Sequence, residues 1–247
     1  MSRWKAAGIH LAFSMLIVAC AFNAMLLTIY PPQYFSAGGG NQLLLILLAV
    51  DVVIGPTLTL IVFKSGKPGL KFDLTFIALV QLAALLYGCL VIADARPVFL
   101  VHVGDRFHLV RANQIEPAQL INVRYAEFKT LSWTGPKLAV AVMPADVQRQ
   151  EELMMSIVAG NDLNFFPETY EPYDQQYPRV LRNAFPVSDL IAKFPAHRET
   201  VEEVLSDARL EVQQARYVPL SLLPEFRTVI IDATNARVLD IVDLDPW

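Results

Sequence analysis

Residues 42–63 read QLLLILLAVDVVIGPTLTLIVF, residues 64–71 read KSGKPGLK, and residues 72–93 read FDLTFIALVQLAALLYGCLVIA. The first and third of these segments each hold about 20 mostly apolar residues. At about 1.5 Å rise per residue, such a helix crosses a hydrocarbon core of roughly 30 Å. The basic stretch between them is long enough for a turn. This part of the chain therefore predicts two membrane-spanning helices joined as a hairpin.

A third apolar segment, at about residues 6–30, precedes the hairpin. A cleaved signal peptide is the competing interpretation, but the apolar run continues past Cys20 through Leu27, which favours a retained span. All five basic residues of the first 94 lie before this segment or in the turn at 64–71, and the loop at 31–41 has none. Because basic residues next to spans stay in the cytoplasm, the N-terminus is predicted to be cytoplasmic in a multi-pass membrane protein.

The composition changes after residue 94. The whole chain is 54% apolar with a formal charge of −4, whereas residues 95–247 hold 15 Lys or Arg against 21 Asp or Glu in a mixed pattern of helices and strands. The predicted fold is a membrane protein, with three N-terminal transmembrane α-helices in residues 1–94 and a mixed α+β extracytoplasmic domain in residues 95–247. The acidic excess argues against a nucleic-acid partner, because phosphate binding relies on concentrated basic charge.

Asp51 lies deep inside the second predicted span. An ionisable group at that depth costs roughly 2.5 to 3.5 kcal/mol on insertion scales, so it normally faces protein or water and has a partner. A catalytic pair with Asp73 is disfavoured, because the two residues differ in depth by roughly 18 Å at 1.5 Å per residue. A packing or docking role is expected, with the partner either an internal group such as Thr57 or Gln81 or a helix of another protein.

Gly55 and Pro56 follow Asp51 after one helical turn. Proline inside a spanning helix removes a backbone hydrogen bond and usually kinks the helix, which leaves a free carbonyl near Asp51 for a neighbouring helix. Two interpretations stay open. The kink either curves a helix within a three-helix bundle or shapes a groove for the helix of another protein.

The C-terminal domain shows a mixed pattern of strand and helix signals. Strands are predicted at residues 97–103, 106–112, 122–132 and 138–143 and in a closing hairpin within residues 228–247. Helices are predicted at residues 146–159, near residue 188 and at about residues 196–212. The first of these helices is expected to begin at Asp146 and to bury Leu153, Met154, Ile157 and Val158.

Residues 164–185 are rich in aromatic residues and proline and have little periodicity. No regular helix is expected there. Tyr and Phe on a semi-rigid backbone make good contact surface at low entropic cost. The segment is therefore expected either to wrap its own domain or to bind a partner through Tyr170, Tyr173 and Tyr177.

No catalytic, cofactor or metal site is expected from the sequence. It contains no Gly-rich phosphate loop, no Gly-x-Ser-x-Gly elbow and no HExxH motif. In the hairpin at residues 97–112, the two-residue turn is expected at Gly104-Asp105, so that His102 opposes Phe107 and His108 opposes Val101. This register would place the two imidazoles on opposite faces of the sheet, where they cannot share a metal ion.

Five short stretches carry a family resemblance. They are Met1-Ser-Arg-Trp-Lys-Ala-Ala7, Val50 to Lys64, Gly69 to Leu74, Ala95 to Val98, and Asp245-Pro246-Trp247. Together they resemble the type IV pilin accessory proteins (TfpX/TfpZ) of the bacterial inner membrane. The resemblance spans the whole chain and is most specific in the hairpin.

The resemblance implies a noncatalytic, chaperone-like helper that supports assembly and surface display of type IV pili. Its implied partner is the type IV major pilin, which waits in the bilayer as a single helix with an outward head. We therefore expect a helix-docking groove at Asp51, Gly55 and Pro56, and a contact with the pilin head near Tyr170 to Tyr177. A membrane enzyme that modifies or processes pilin and a ligand-sensing membrane module are the alternatives.

Overall fold

Three long apolar helices form the N-terminal part of the chain: α1 (Arg3–Thr28), α2 (Gly40–Val62) and α3 (Leu70–Asp94). Their positions agree with the segments predicted from the sequence, and each is long and apolar enough to cross a membrane. The computed structural model describes residues 2–222 and 225–247. The chain divides into two compact units, Met1–Arg96 and Pro97–Trp247.

In the first unit, α2 lies between the other two helices. α1 packs mainly along the C-terminal half of α2, and α3 packs along both halves, while direct contacts between α1 and α3 are few. The buried positions of α1 include Ala7, Ser14, Val18 and Met25, at the alternating spacing of seven and four residues that is typical of packed helices. This arrangement leaves a space between α1 and α3 along one side of α2.

Glycines with positive φ begin two of the three helices. Gly39 has φ of 82° before α2, and Gly69 has φ of 81° before α3. Only glycine adopts this conformation without steric cost, so both positions allow the sharp reversal that a helical hairpin needs. At the basic turn, Lys67 and Asp73 form an ion pair at 2.6 Å, which is partly exposed and adds little stability by itself.

The second unit is built on one mixed eight-stranded sheet. Its strands are β1 (Pro97–Val103), β2 (Arg106–Arg111), β3 (Lys137–Ala141), β4 (Tyr170–Pro172), β5 (Phe185–Pro186), β6 (Ala215–Ser221), β7 (Phe226–Asp232) and β8 (Val238–Val242). The spatial order is β4-β3-β1-β2-β6-β7-β8, with β5 paired to β6. β1 with β3 and β2 with β6 are parallel pairs, and the other pairs are antiparallel.

In the described part of this unit, four α-helices accompany the sheet: α4 (Val147–Val158), α5 (Tyr173–Asn183), α6 (Val187–Lys193) and α7 (Arg198–Ala208). One core cluster forms around Phe99, Phe128 and Tyr170, whose rings meet edge to face. A second cluster contains Leu190 of α6 and Leu205 of α7 and packs against β6, β7 and β8. The domain therefore has two apolar centres along one sheet.

Several local predictions are confirmed. The β1–β2 hairpin forms, and its register pairs Val101 with His108 and His102 with Phe107 as expected. The carboxylate of Asp146 accepts a hydrogen bond from the N–H of Gln148 and caps α4. The closing hairpin is β7–β8.

The predicted strand at residues 122–132 is wrong. This segment is a loop with a single 3-10 turn, Ala126–Lys129, that buries Phe128 completely. The ammonium of Lys137 donates to the carbonyl oxygen of Thr130 at 2.7 Å. A lysine side chain thus satisfies backbone acceptors that a strand would have paired in a ladder.

The expectation that residues 164–185 contain no regular helix is also wrong, because Tyr173–Asn183 forms α5. Pro178 lies inside this helix but on its exposed side, so the carbonyl that the proline leaves without a helical partner can bond to water. The side-chain amide of Gln176 donates to the carboxylate of Glu171 and links the first turn of the helix to the preceding strand.

The buried face of α4 differs from the predicted one. Leu153 is fully buried and Ile157 packs against the same cluster, in agreement with the prediction. Met154 and Val158, however, are 53% and 81% exposed. The sheet covers a narrower stripe of this helix than the apolar pattern indicates.

Candidate functional site

The middle of α2 departs from α-helical geometry. Residues Ala49–Ile54 form a π-helical segment, and the N–H of Gly55 donates to the carbonyl of Val50, five residues earlier. Pro56 has no N–H, so in this register the carbonyl of Asp51 loses its backbone partner. Segments of this kind inside α-helices are frequent at functional sites.

The side chain of Gln81 on α3 supplies the missing donor. Its Nε2 donates to the carbonyl oxygen of Asp51 at 3.3 Å. Gly55 makes this approach possible, because a Cβ at that position would lie 1.8 Å from Gln81 Nε2. The structure thus brings Gln81 to the freed carbonyl, whereas Thr57, the other expected partner, donates to a carbonyl of its own helix.

Asp51, Gly55 and Gln81 form a polar cluster at the contact of α2 with α3. Two buried acceptor atoms of this cluster have no hydrogen-bond partner among the described residues. They are Oδ2 of Asp51, a residue only 6% exposed, and Oε1 of Gln81. Asp73, which a catalytic pair would require, is bonded to Lys67 at 2.6 Å instead. Leaving buried acceptors unpaired costs free energy, so these two oxygens favour an additional hydrogen-bond donor.

An open groove of about 500 Å³ contains this cluster. α1, α2 and α3 all contribute to its lining, and most of the lining side chains are apolar. The residues at its two sides are Ile9, Phe13 and Ile17 of α1 and Leu74, Ala78 and Leu82 of α3. The groove therefore has apolar sides and polar groups in its floor.

The polar groups of the groove include a second pair. His10 Nδ1 of α1 lies 2.5 Å from Thr59 Oγ1 of α2, so the two side chains share a hydrogen bond. Sequence reasoning missed both residues. A signal was present, because Asp51, Gly55 and Thr59 are spaced four residues apart and share one face of the helix.

The three predicted contact tyrosines differ in their accessibility. Tyr170 is 1% exposed and donates its hydroxyl to the carbonyl of Asn164, and burial raises the pKa of this phenol well above its ordinary value. Tyr173 is also buried and donates to the carbonyl of Ala236 at 2.7 Å. Tyr177 is half-buried. The fold thus uses two of the three rings to close its own core.

Among residues 2–222 and 225–247, no group of three or more His, Cys, Asp or Glu side chains is arranged to hold a metal ion. His102 is 2% exposed and packs edge-on against Phe107, with ring centroids 5.3 Å apart. Burial lowers the pKa of this imidazole to about 4. His102 is therefore a neutral core residue.

A polar cleft of about 470 Å³ in the second unit is lined in part by Asn122, Arg149 and Glu168. The Arg149 guanidinium pairs with Glu168 at 2.5 Å and with Glu152 at 2.5 Å. Hydrogen bonds to these two carboxylates hold the pKa of Arg149 above its ordinary value. Because the charged side chains that line this cleft are already paired with each other, the groove with its unpaired acceptors is the stronger candidate site.

These features define a class of protein: three apolar helices of spanning length with a polar-floored groove between them, followed by a separate α+β domain. Fimbrial assembly proteins of serogroups I and E1 of Dichelobacter nodosus are each 25% identical to this chain, over 98% of the chain and 95% of each relative. The fimbrial assembly protein of serogroups C1 and C2 of the same organism is 32% identical over 114 residues, which cover 45% of this chain and 86% of that relative.

The chain belongs to the family of these fimbrial assembly proteins, the type IV pilin accessory family that its motifs predict. No profile of a known protein family matches the chain. No solved structure matches it either.

Proposed function

We propose that this protein is a multi-pass inner-membrane accessory protein of type IV pilus biogenesis. Its family, whose members are named fimbrial assembly proteins, supports a role in pilus biogenesis. In this proposal α1, α2 and α3 cross the inner membrane, and residues 97–247 lie in the periplasm. The placement of the basic residues in the first turn of α1 and at residues 64–71 supports this orientation.

We propose further that the protein binds the type IV major pilin without chemical change, as a chaperone-like helper. The observation that carries this proposal is the groove of about 500 Å³, whose floor holds an acceptor oxygen of Asp51 with no partner among the described residues. Helices are the regular segments able to fill such a groove within a bilayer, because they satisfy their own backbone. A pilin subunit held in the membrane by a single helix offers one.

The proposed contact with the pilin head now rests on Tyr177, because Tyr170 and Tyr173 are core residues. A Tyr177→Ala substitution keeps the two buried rings and their hydrogen bonds. It is expected to lower the amount of pilin crosslinked to the periplasmic domain while the domain stays folded. Unchanged crosslinking would remove this surface from the proposal.

Photocrosslinking in cells tests the groove directly. A photoreactive phenylalanine analogue is placed at Phe13 or at Leu82, which face the groove, and at Leu16 or Leu79, which are similarly exposed on the same helices outside it. We expect the pilin to be crosslinked from Phe13 and Leu82 several-fold more than from Leu16 and Leu79. Equal yields from all four positions, or crosslinks to lipid alone, would contradict the proposed role of the groove.

A further inference from the structure

The chemistry of the groove floor specifies its occupant more closely than its shape does. Asp51 Oδ2 and Gln81 Oε1 are two hydrogen-bond acceptors that are buried and unpartnered among the described residues. An ionised carboxylate accepts on both oxygens, and an amide oxygen also only accepts. With Asp51 ionised, the floor holds a surplus of acceptors, and an occupant that pairs with them must bring donors. Both oxygens are buried, so the two side chains turn towards the groove when the donor binds.

None of the neighbouring donors lies within hydrogen-bond distance of these two oxygens. Gln81 Nε2 donates to the carbonyl of Asp51, and the hydroxyl of Thr57 donates within its own helix. His10 and Thr59 bond to each other. In this arrangement of the three helices, a donor to the two oxygens therefore has to come from outside these groups.

The sides of the groove fit a helix. Ile9, Phe13 and Ile17 are spaced four residues apart along α1, and Ala78 and Leu82 have the same spacing on α3. Rows with this spacing are the ridges that interdigitate when helices pack. The α1 row alone extends about 12 Å at 1.5 Å per residue, which is more than two helical turns.

We propose that the groove binds a membrane-spanning helix that carries a hydrogen-bond donor side chain, an amide or an ammonium group, near its middle. α2 has eleven residues on each side of Asp51, so the donor lies at the centre of the partner's span. A lipid acyl chain could pack between the apolar sides of the groove, but it would bring no hydrogen-bond donor to Asp51. Because this inference specifies the ligand of the proposed groove, it rests on the proposed function.

Gly55 is a positioning residue for this socket, which we define as Asp51 Oδ2 and Gln81 Oε1. Its missing side chain lets the Gln81 amide reach α2, since a Cβ there would meet Gln81 Nε2 at 1.8 Å. Gly55→Ala is therefore expected to displace the amide and to weaken donor binding without removing a polar group.

Host helices of known sequence provide the test. The full-length protein is reconstituted in phosphatidylcholine vesicles with a 21-residue Leu/Ala helix that carries Asn, Lys or Leu at its centre, and association is measured by energy transfer between labels. We expect the Asn and Lys helices to associate at least tenfold more tightly than the Leu helix. In Asp51→Leu and in Gln81→Leu this preference should fall several-fold, and in the control Thr57→Val it should persist.

Circular dichroism of each variant in the same vesicles separates loss of binding from loss of folding. A Leu helix that binds as tightly as the Asn and Lys helices would overturn the inference. So would a donor preference that survives in both folded socket variants.

The pilin crosslinks distinguish this inference from the proposed function. Crosslinks from Phe13 and Leu82 that are unchanged in Asp51→Leu and Gln81→Leu would overturn the donor socket but support pilin as the occupant. Donor-selective host binding without pilin crosslinks would support the socket and overturn the pilin assignment.

Discussion

His102 is the residue through which pH acts most directly on the C-terminal domain. Burial lowers its pKa from an ordinary 6.5 to about 4. The unfolded chain therefore binds more protons than the folded chain between these values, and the stability contributed by neutral His102 is complete above about pH 6.5 and is lost as the pH falls towards 4. The full loss is about 3 kcal/mol at 1.36 kcal/mol per pKa unit.

Denaturant unfolding of the full-length protein in detergent micelles, followed by the fluorescence of Trp133 and Trp247, measures this dependence. We expect the denaturant concentration at the unfolding midpoint to decrease when the pH is lowered from 7 to 4.5. This decrease should be smaller in His102→Leu. Burial also lowers the pKa of His108, so His102→Leu should still lose some stability as the pH is lowered. His197→Gln, at an exposed histidine, is the control and should keep the wild-type profile.

Gly55 sets the distance between α2 and α3. Gly55→Ala places a methyl group where Gln81 Nε2 now lies, and we expect it to destabilise the helical unit by about 1 to 3 kcal/mol, the usual cost of overpacking. Gly8→Ala in α1 is the matched control, since its Cβ would meet no atom within 4 Å. Thermal denaturation in micelles should show a lower midpoint for the first variant and an unchanged or higher one for the second.

The double variant Gly55→Ala with Gln81→Ala decides whether the clash is the cause. Shortening Gln81 removes the atoms that the new methyl group would meet, so most of the lost stability should return. If the two substitutions act additively instead, Gly55 does not serve to admit the glutamine side chain.

At the scale of elements, α4 offers adjacent residues with opposite environments. Leu153 is fully buried and Met154 is 53% exposed. Leu153→Ala is expected to cost about 2 to 5 kcal/mol because it leaves a cavity in the core, and Met154→Ala about 0.5 kcal/mol or less. Denaturant unfolding of both variants measures the difference, and similar losses would mean that α4 packs on a different face.

The elements that were predictable from the sequence are those specified by neighbouring residues. Long apolar runs predict α1, α2 and α3, and the two-residue turn at Gly104-Asp105 predicts the β1–β2 register. The strand β6 was not predicted. The parallel pairs of β1 with β3 and of β2 with β6 were not predicted either, because each pair joins residues that are far apart in the chain. Tertiary packing likewise overrides local pattern at α5, where Tyr173 becomes a core residue.

The candidate site shows the same division. Asp51, Gly55 and Pro56 stand out in the sequence because a charge and a proline are costly within an apolar helix. The bond from Gln81 to the Asp51 carbonyl depends on how α2 and α3 pack, and the contact of His10 with Thr59 depends on α1 and α2. Local composition therefore indicates where the site lies, and the packing of three helices decides what it can bind.

At the scale of the whole molecule, the proposed function depends on the side of the membrane that receives residues 97–247. Three lysines lie at residues 64–71, two basic residues lie in the first turn of α1, and the loop at 31–41 has none. Since short loops rich in Lys and Arg remain in the cytoplasm, an odd number of spans then exports the C-terminus. Alkaline phosphatase fused after Trp247 is expected to be active, and a fluorescent protein that matures only in the cytoplasm is expected to be dark there.

The charges themselves are expected to cause this orientation. A variant in which Lys64, Lys67 and Lys71 are replaced by Gln, with two lysines introduced at Gln33 and Asn41, reverses the bias across α2. It should lower phosphatase activity several-fold while the fusion is still produced in equal amount. An inactive phosphatase fusion together with a bright fluorescent-protein fusion to the wild-type chain would overturn the orientation. It would also overturn any contact between Tyr177 and a periplasmic pilin head. The groove would still lie at bilayer depth in either orientation, so crosslinks from Phe13 and Leu82 would test pilin binding independently.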